Sequence, residues 1–220
     1  MMGKIKKHKE NNFGAIGIGA MIVFIAMVLV AGIAASVLIQ TSSKLETQAM
    51  VTGEQTTSEV ATGLDAADVE GYAATSEDIS RLAIQIRPRA GSSEIDLSET
   101  VIEISDTNKK LVLTYTADEF TSKANIDGDI FTSSFYTTME ANEFSVIVLE
   151  DADGSCTSTT PIINRGDKVI LSIYAGHASG FNSIAERTDV WGSIMPEEGA
   201  PGIISFRTPA SYTENVMDLQ

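Results

Sequence analysis

The sequence predicts an α+β protein, in which a long, hydrophobic N-terminal α-helix is followed by an antiparallel β-sandwich. Residues 11–43 contain no Asp, Glu, Lys or Arg. Within them, about 25 consecutive apolar or small residues, 15–39, are enough for a helix that crosses a bilayer. From about residue 66, apolar and β-branched residues alternate with polar ones, which is typical of strands. We therefore predict a leader over residues 1–14, a helix over 15–63 and a β domain over 64–220.

The segment before the apolar run is basic, because MMGKIKKHKE carries four lysines and one acid. The positive-inside rule keeps this segment in the cytoplasm and places the rest of the chain outside. An ordinary secretory signal would have a shorter apolar segment and a small-residue cleavage site after it. The sequence instead favours a leader that ends at Gly14, so that the mature chain begins at Ala15 and keeps the helix.

The β domain is strongly acidic. Removing the leader, with four Lys and one Glu, leaves 11 basic and 29 acidic residues and a net charge of −18. Such an excess of acid argues against nucleic acid or anionic lipid as a partner of this domain.

The helix is predicted to pack against other helices once it has left the membrane. It is expected to continue past the apolar run, since residues 40–60 contain no proline and Gly63 is a plausible stop. Nine small residues would allow helices to approach closely: Gly17, Gly19, Ala20, Ala26, Ala31, Gly32, Ala34, Ala35 and Ser36. The side chains predicted to pack in a helix bundle are Ile16, Ile18, Ile22, Phe24, Ile25, Met27, Val28, Leu29, Val30, Ile33, Val37 and Leu38.

Eight short strands without a second helix favour a sandwich in the β domain. In the segment RLAIQIRPR, Leu82, Ile84 and Ile86 point to one face, as in a half-buried strand. The polar, Thr- and Ser-rich residues 117–141 are expected to form a long exposed loop with some irregular pairing. The predicted strands are 68–74, 79–87, 100–105, 110–116, 143–149, 168–174, 188–194 and 202–208.

Two acidic clusters offer oxygen ligands for Ca²⁺ or another divalent cation. They contain Asp127 with Asp129, and Asp151 with Asp153. Neither cluster has the spacing of an EF-hand, and acidic turns between strands are the alternative interpretation. We expect that the protein requires no cofactor.

Other motifs predict a structural role rather than catalysis. Cys156 is the single cysteine, so an intrachain disulfide is impossible, and a buried, unreactive thiol is expected. The Arg-Gly-Asp motif at residues 165–167 is interpreted as a turn into the next strand, not as an adhesion motif. With only His8 and His177 available, the sequence offers neither a catalytic triad nor a metal triad, which predicts that the protein is not an enzyme.

Several segments resemble the archaeal flagellins, or archaellins. FGAIGIGAMIVFIAMVLVAGIAASVLIQTSSKLETQA resembles their N-terminus, and RTDVWGSIMPEEGAPGIISFRTPASYTENVMDLQ resembles their C-terminal strands and tail. DVEGYAATSEDISRLAIQIRPRAGSSEIDLSETVIEISD and PIINRGDKVILSI are also similar to the family. The resemblance covers nearly the whole chain apart from the loop after residue 117. The chain departs from the family in having Phe13, rather than Lys or Arg, before the cleavage glycine.

This resemblance implies a structural subunit of the archaellum filament, with bundled helices at its centre and immunoglobulin-like β domains outside. The filament would be extracellular and would serve swimming motility and sometimes surface adhesion. The implied partners are other copies of the chain, other archaellins, the membrane motor platform, and a prepilin-type peptidase that cuts between Gly14 and Ala15. The precursor would be inserted transiently in the membrane.

Two alternatives remain open at this point. A type IV-like adhesion pilin shares the leader, although bacterial-type pilins carry Glu at the fifth mature position, where this chain has Gly19. A β domain anchored permanently by a single membrane span would explain the apolar run equally well on physical grounds.

Overall fold

The computed structural model describes residues 13–74, 78–126, 128–132, 136 and 138–220. Most of the predicted leader, residues 1–12, therefore lies outside the described residues, as does Asp127. The chain divides after Glu54 into two compact units, residues 1–54 and 55–220. We describe each unit by itself.

One helix, α1, extends over Phe13–Ala61, compared with the predicted span of 15–63. It passes through Gly53 without a break, because a single glycine costs only about 1 kcal/mol in a helix interior. Thr62 N donates to Ser58 O (2.7 Å) and closes the last turn. The first strand begins only three residues after the helix ends.

The described part of the second unit contains twelve strands, of which four were not predicted. The four are β3, β6, β8 and β12, and each has only two or three residues, too few to show an alternating pattern. The strands are β1 Leu64–Ala73, β2 Ile79–Pro88, β3 Ile95–Asp96, β4 Val101–Ser105, β5 Lys110–Tyr115, β6 Thr121–Ser122, β7 Glu143–Glu150, β8 Ile162–Ile163, β9 Lys168–Tyr174, β10 Asp189–Met195, β11 Gly202–Arg207 and β12 Val216–Asp218.

Ten of these strands form one curled sheet, in the order β11, β10, β4, β5, β7, β9, β2, β1 and β12, with β6 beside β7. All neighbours are antiparallel except the pairs β5–β7 and β6–β7. A single cluster of buried apolar side chains draws on strands from both ends of this order. The predicted antiparallel β-sandwich domain takes the form of one curled, mostly antiparallel sheet, whose inner face encloses the core.

The start of β1 corrects the predicted boundary of the first strand. The sequence placed it at residue 68, whereas β1 begins at Leu64, whose side chain is completely buried. The polar residues Asp65 and Asp68 hide this start from pattern analysis. Asp65 forms an ion pair with Arg87 of β2 (2.9 Å) instead of following the expected alternation.

Gln220 links the two ends of the strand order. Its side-chain Oε1 accepts a hydrogen bond from Ser205 N (2.7 Å), and its Nε2 donates to Ile203 O (3.2 Å). Both partners belong to the outer edge of β11. On the other side, Gln220 O accepts a hydrogen bond from Val69 N of β1 (3.3 Å). The side-chain amide thus imitates a peptide group and bridges β11 to β1.

The segment 117–141 corrects a second prediction, because it is not simply an exposed loop. Phe131, Tyr136 and Met139 are buried, and they form a second apolar cluster with Ala83, Ile147 and Ile170. This cluster lies on the outer face of β2, β7 and β9. Phe131, Tyr136 and Met139 thus cover part of that face instead of projecting away from it.

Two carboxyl groups oppose each other on β1 and β12, where Glu70 pairs with Asp218. Partial burial, followed by the charges of Asp68 and Asp218, raises the pKa of Glu70 above its ordinary value. A carboxyl whose pKa is raised by folding contributes stability that is fully present below its unfolded-state pKa. This contribution is lost as the pH rises through its folded-state pKa.

We expect Glu70→Gln to increase the free energy of unfolding by about 0.5 kcal/mol at pH 7, since it removes a like-charge cross-strand pair. At pH 3, where the carboxyl is protonated in both states, the gain should disappear. Denaturant unfolding of the full chain in detergent at both pH values measures this. Glu103→Gln is the control, because Glu103 pairs with Lys110 (2.6 Å) and its loss should be destabilising at pH 7. Equal effects of Glu70→Gln at both pH values would contradict the interpretation.

The polymerisation helix and the acidic cluster

The helix α1 is more than twice as long as the roughly 20 residues that a membrane span requires. Its 49 residues correspond to about 73 Å at 1.5 Å per residue. One helix among the described residues is long and apolar enough to cross a membrane by length and composition, and it is this one.

The apolar part of α1 presents large side chains on every side. All twelve side chains predicted to pack in a bundle are exposed in the single chain, including Phe24, which is 69% exposed. Met21, Val23 and Ile39 are exposed to a similar degree and were missing from the predicted set. A helix that is apolar all round is stable only when it is surrounded on all sides, by lipid or by other helices.

The glycines of α1 have open space around them. A Cβ atom added at Gly17, Gly19 or Gly32 would meet nothing within 4 Å. Glycine costs about 1 kcal/mol relative to alanine in a helix, so the chain's own fold gives no reason for these residues. Close approach of a neighbouring helix would provide such a reason.

The more polar half of α1 satisfies its hydroxyl groups internally. Thr41 Oγ1 donates to Val37 O (2.9 Å), Thr47 Oγ1 to Ser43 O (3.0 Å) and Thr52 Oγ1 to Gln48 O (2.8 Å). These three threonine side chains can therefore be buried at a modest cost. Lys44, Glu46 and Glu54 lie in the same stretch, so helix contacts beyond the apolar run must leave these charges in water or pair them.

The predicted cleavage site lies in the first turn of α1. Gly14 and Ala15 are both helical and exposed. The sequence model of the family described as archaeal-type flagellin matches residues 14–206, and so begins at this glycine. The chain belongs to the archaeal-type flagellin family.

Relatives of this flagellin are similar over its full length. It is 47% identical to flagellin B2 of Methanocaldococcus jannaschii over 220 residues, which cover 99% of this chain and 100% of the relative. It is 43% identical to flagellin B1 of Methanococcus voltae, with 98% and 99% of the two chains covered.

Two solved structures share the fold. The crystal structure of archaeal flagellin FlaB1 from Methanocaldococcus jannaschii superimposes with a TM-score of 0.65 at 36% identity, covering 73% of this chain and 98% of that one. The archaeal flagellum of Methanospirillum hungatei gives a TM-score of 0.64 at 15% identity, covering 91% and 98%. The second likeness concerns the fold alone.

The acidic residues predicted to bind a metal are separated by the structure of this flagellin. Asp151 and Asp153 lie together, and Asp167 joins them, with one carboxylate oxygen of each within 4.8 Å of the others. Asp129 is not part of this group, and its Oδ1 accepts a hydrogen bond from Phe131 N (2.9 Å). Asp167 is the member of this cluster that the sequence analysis did not predict.

Hydrogen bonds hold the acidic cluster in place. Gly154 N and Cys156 N donate to the two oxygens of Asp151 (2.8 and 3.2 Å), and Asn164 Nδ2 donates to Asp153 Oδ2 (2.6 Å). Hydrogen bonds from Asn164 and Ser155 hold the pKa of Asp153 below its ordinary value. Asp153 is thus kept ionised, and the hydrogen bonds hold the three carboxyl groups close together.

The Arg-Gly-Asp motif is a turn, as predicted. Asp167 is almost fully buried, and its Oδ2 accepts a hydrogen bond from Asn164 N (2.8 Å). Gly166 adopts φ 106°, which suits glycine. The aspartate is not available to a receptor, and the motif closes the connection into β9.

Cys156 is buried beside the acidic cluster. Burial, together with the charges of Asp151 and Asp167, raises the pKa of its thiol to about 12. We expect native protein at pH 7.5 to react with N-ethylmaleimide at least about 100-fold more slowly than protein unfolded in guanidinium, since the thiolate is the reactive form. Mass spectrometry of timed samples measures this. Equal rates in the two states would contradict the buried, protonated thiol.

Proposed function

We propose that this flagellin is a structural, non-enzymatic subunit that polymerises through α1 into an extracellular filament used for swimming. The observation that carries the proposal is that α1 exposes large apolar side chains on every side. If ten of them are buried against neighbouring copies, the gross gain is about 15–30 kcal/mol per subunit relative to water.

Before assembly, the helix α1 lies in the membrane. Lipid tails are as apolar as the side chains of α1, so packing between helices, and not hydrophobicity, must favour the filament over the bilayer. The open space at Gly17, Gly19 and Gly32 supports such close packing. The precursor is accordingly inserted in the membrane, and a membrane motor platform extracts and assembles it. Other flagellins join the same filament.

A prepilin-type peptidase cuts between Gly14 and Ala15 before assembly. The test is N-terminal sequencing and intact-mass measurement of filaments sheared from cells. Chains that begin at Ala15 and retain α1 are the expected result. An uncut chain recovered only in membranes would overturn the proposal and favour a permanently anchored domain.

We further propose that Asp151, Asp153 and Asp167 hold a divalent cation such as Ca²⁺. Carboxylate oxygens are the ligands that Ca²⁺ prefers, and a bound cation would relieve the repulsion among the three acidic side chains. Saturating Ca²⁺ at about 100 times its dissociation constant would stabilise the fold by about 2.7 kcal/mol.

Thermal unfolding of the full chain in detergent, with Ca²⁺ or with chelator, tests this cation site. Asp153→Asn should abolish the increase in Tm, and Asp129→Asn, outside the cluster, should leave it intact. A Tm that does not respond to Ca²⁺ would rule the site out.

A further inference from the structure

Like α1, the β domain exposes large apolar side chains in the single chain. Among its described residues, four large apolar side chains are exposed: Val112 (49%), Trp191 (50%), Ile203 (66%) and Val216 (43%). The first three belong to β5, β10 and β11, which are joined through β4 in one part of the sheet. Contiguous exposed apolar patches mark sites of protein–protein contact, whereas isolated exposed apolar residues do not.

The strand register places these three side chains on the same outer face. Val112 pairs with Glu103 of β4, Glu103 pairs with Ser193 of β10, and Ser193 pairs with Ile203 of β11. Trp191 lies two residues before Ser193 in β10 and therefore points to the same side. We call this surface, formed by Val112, Glu103, Trp191, Ser193 and Ile203, the Trp191 face.

The charges on and beside the Trp191 face are paired. Glu103 forms an ion pair with Lys110 (2.6 Å), and Asp189 forms one with Arg207 (3.5 Å). The sheet surface at β1 and β12 differs, because Asp68, Glu70 and Asp218 accumulate there. Val216, the fourth exposed apolar residue, belongs to this acidic part.

The charge of the chain decides which surface a second copy can approach. After removal of the proposed leader the net charge is −18, so two copies repel each other through most of their surfaces. Contact between copies costs the least free energy where charges are already paired within each copy and where apolar side chains become buried. The Trp191 face meets both conditions, and tryptophan is typical of energetically dominant contact residues.

We propose that the Trp191 face packs against a second copy of this chain in the filament. The inference rests on the proposed polymerisation and adds a contact between β domains to the contacts made by α1. The α1 contacts hold the subunits together, and the Trp191 face fixes how neighbouring β domains meet.

The tryptophan itself reports on this contact, because it is the single tryptophan of the chain. Fluorescence of purified filaments is compared with that of the same full chain dissociated in detergent, using acrylamide as the quencher. In filaments, we expect the emission maximum to shift to the blue and the quenching constant to fall about threefold or more, since interface cores exclude water. Equal quenching in filaments and in the dissociated chain overturns the proposal.

A pair of matched variants separates this contact from polymerisation in general. Ile203→Ser should lower the temperature at which filaments dissociate and raise Trp191 quenching. Val216→Ser, the corresponding change at an exposed apolar residue on the acidic surface, should change neither. Unfolding of the dissociated chains checks that both variants fold. Equal dissociation temperatures of the two variants would overturn the proposal, whereas a wild-type chain that forms no filaments would refute polymerisation itself.

Discussion

Replacing Leu29 by Asp is expected to abolish filament formation while leaving the β domain folded. Leu29 lies in the middle of the apolar part of α1, and its side chain is exposed in the single chain. Once neighbouring helices surround it, a carboxylate would lose its hydration without gaining a partner. A cost of about 3 kcal/mol or more per subunit corresponds to a roughly hundredfold rise in the subunit concentration needed for assembly.

Electron microscopy of sheared filaments and blotting of membrane fractions would measure the effect of Leu29→Asp. Presence of the variant in membranes separates failed assembly from failed insertion, since a charge at the centre of α1 also opposes insertion. Ser158→Asp adds the same charge in an exposed turn and should assemble normally. Normal filaments from Leu29→Asp would show that this part of α1 is not surrounded by other subunits.

A large loss of stability in the β domain is expected from Gly199→Ala. Gly199 has φ 100°, and an added Cβ would lie 2.2 Å from Thr62 O. That carbonyl accepts a hydrogen bond from Ala200 N (2.9 Å), and Leu64 N donates to Ala200 O (3.1 Å). The substitution combines backbone strain of about 1–2 kcal/mol with the loss of a hydrogen bond, giving about 3 kcal/mol in total.

Gly166→Ala is the matched control for this prediction. Its φ of 106° is nearly the same, but its Cβ would meet nothing within 4 Å. Only the strain of about 1–2 kcal/mol should therefore appear. Guanidinium unfolding of both variants as full chains in detergent provides the comparison. Equal losses would mean that the hydrogen bonds at Thr62 and Ala200 add little to the stability of the domain.

Much of this architecture can be predicted from the sequence because its two parts have different periods. The uncharged run through residues 11–43 indicates a helix, and the alternation around Leu82, Ile84 and Ile86 indicates a strand. Both types of secondary structure can therefore be recognised from the pattern of neighbouring residues. Packing partners of the helix are less predictable, since a run that is apolar on every side has no distinguishable face. This explains why Met21 and Val23 were omitted from the predicted packing set.

Features that depend on distant contacts could not be predicted in the same way. Asp167 joins Asp151 and Asp153 only because β7 and β9 pair, and no local pattern announces that pairing. Tyr136 and Phe131 are buried within a polar, Thr-rich segment because they reach the outer face of the sheet. In both cases the signal lies in the pairing of strands and not in the neighbouring residues.

The bridge made by Gln220 has a consequence for how subunits avoid uncontrolled association. A strand with unpaired backbone groups is a template on which another polypeptide can add a strand, which leads to domain exchange or amyloid. At Ile203 and Ser205 the outward-facing groups of β11 are already occupied by the side-chain amide. Association at these positions is thereby restricted to side-chain contacts, which can be regular and reversible.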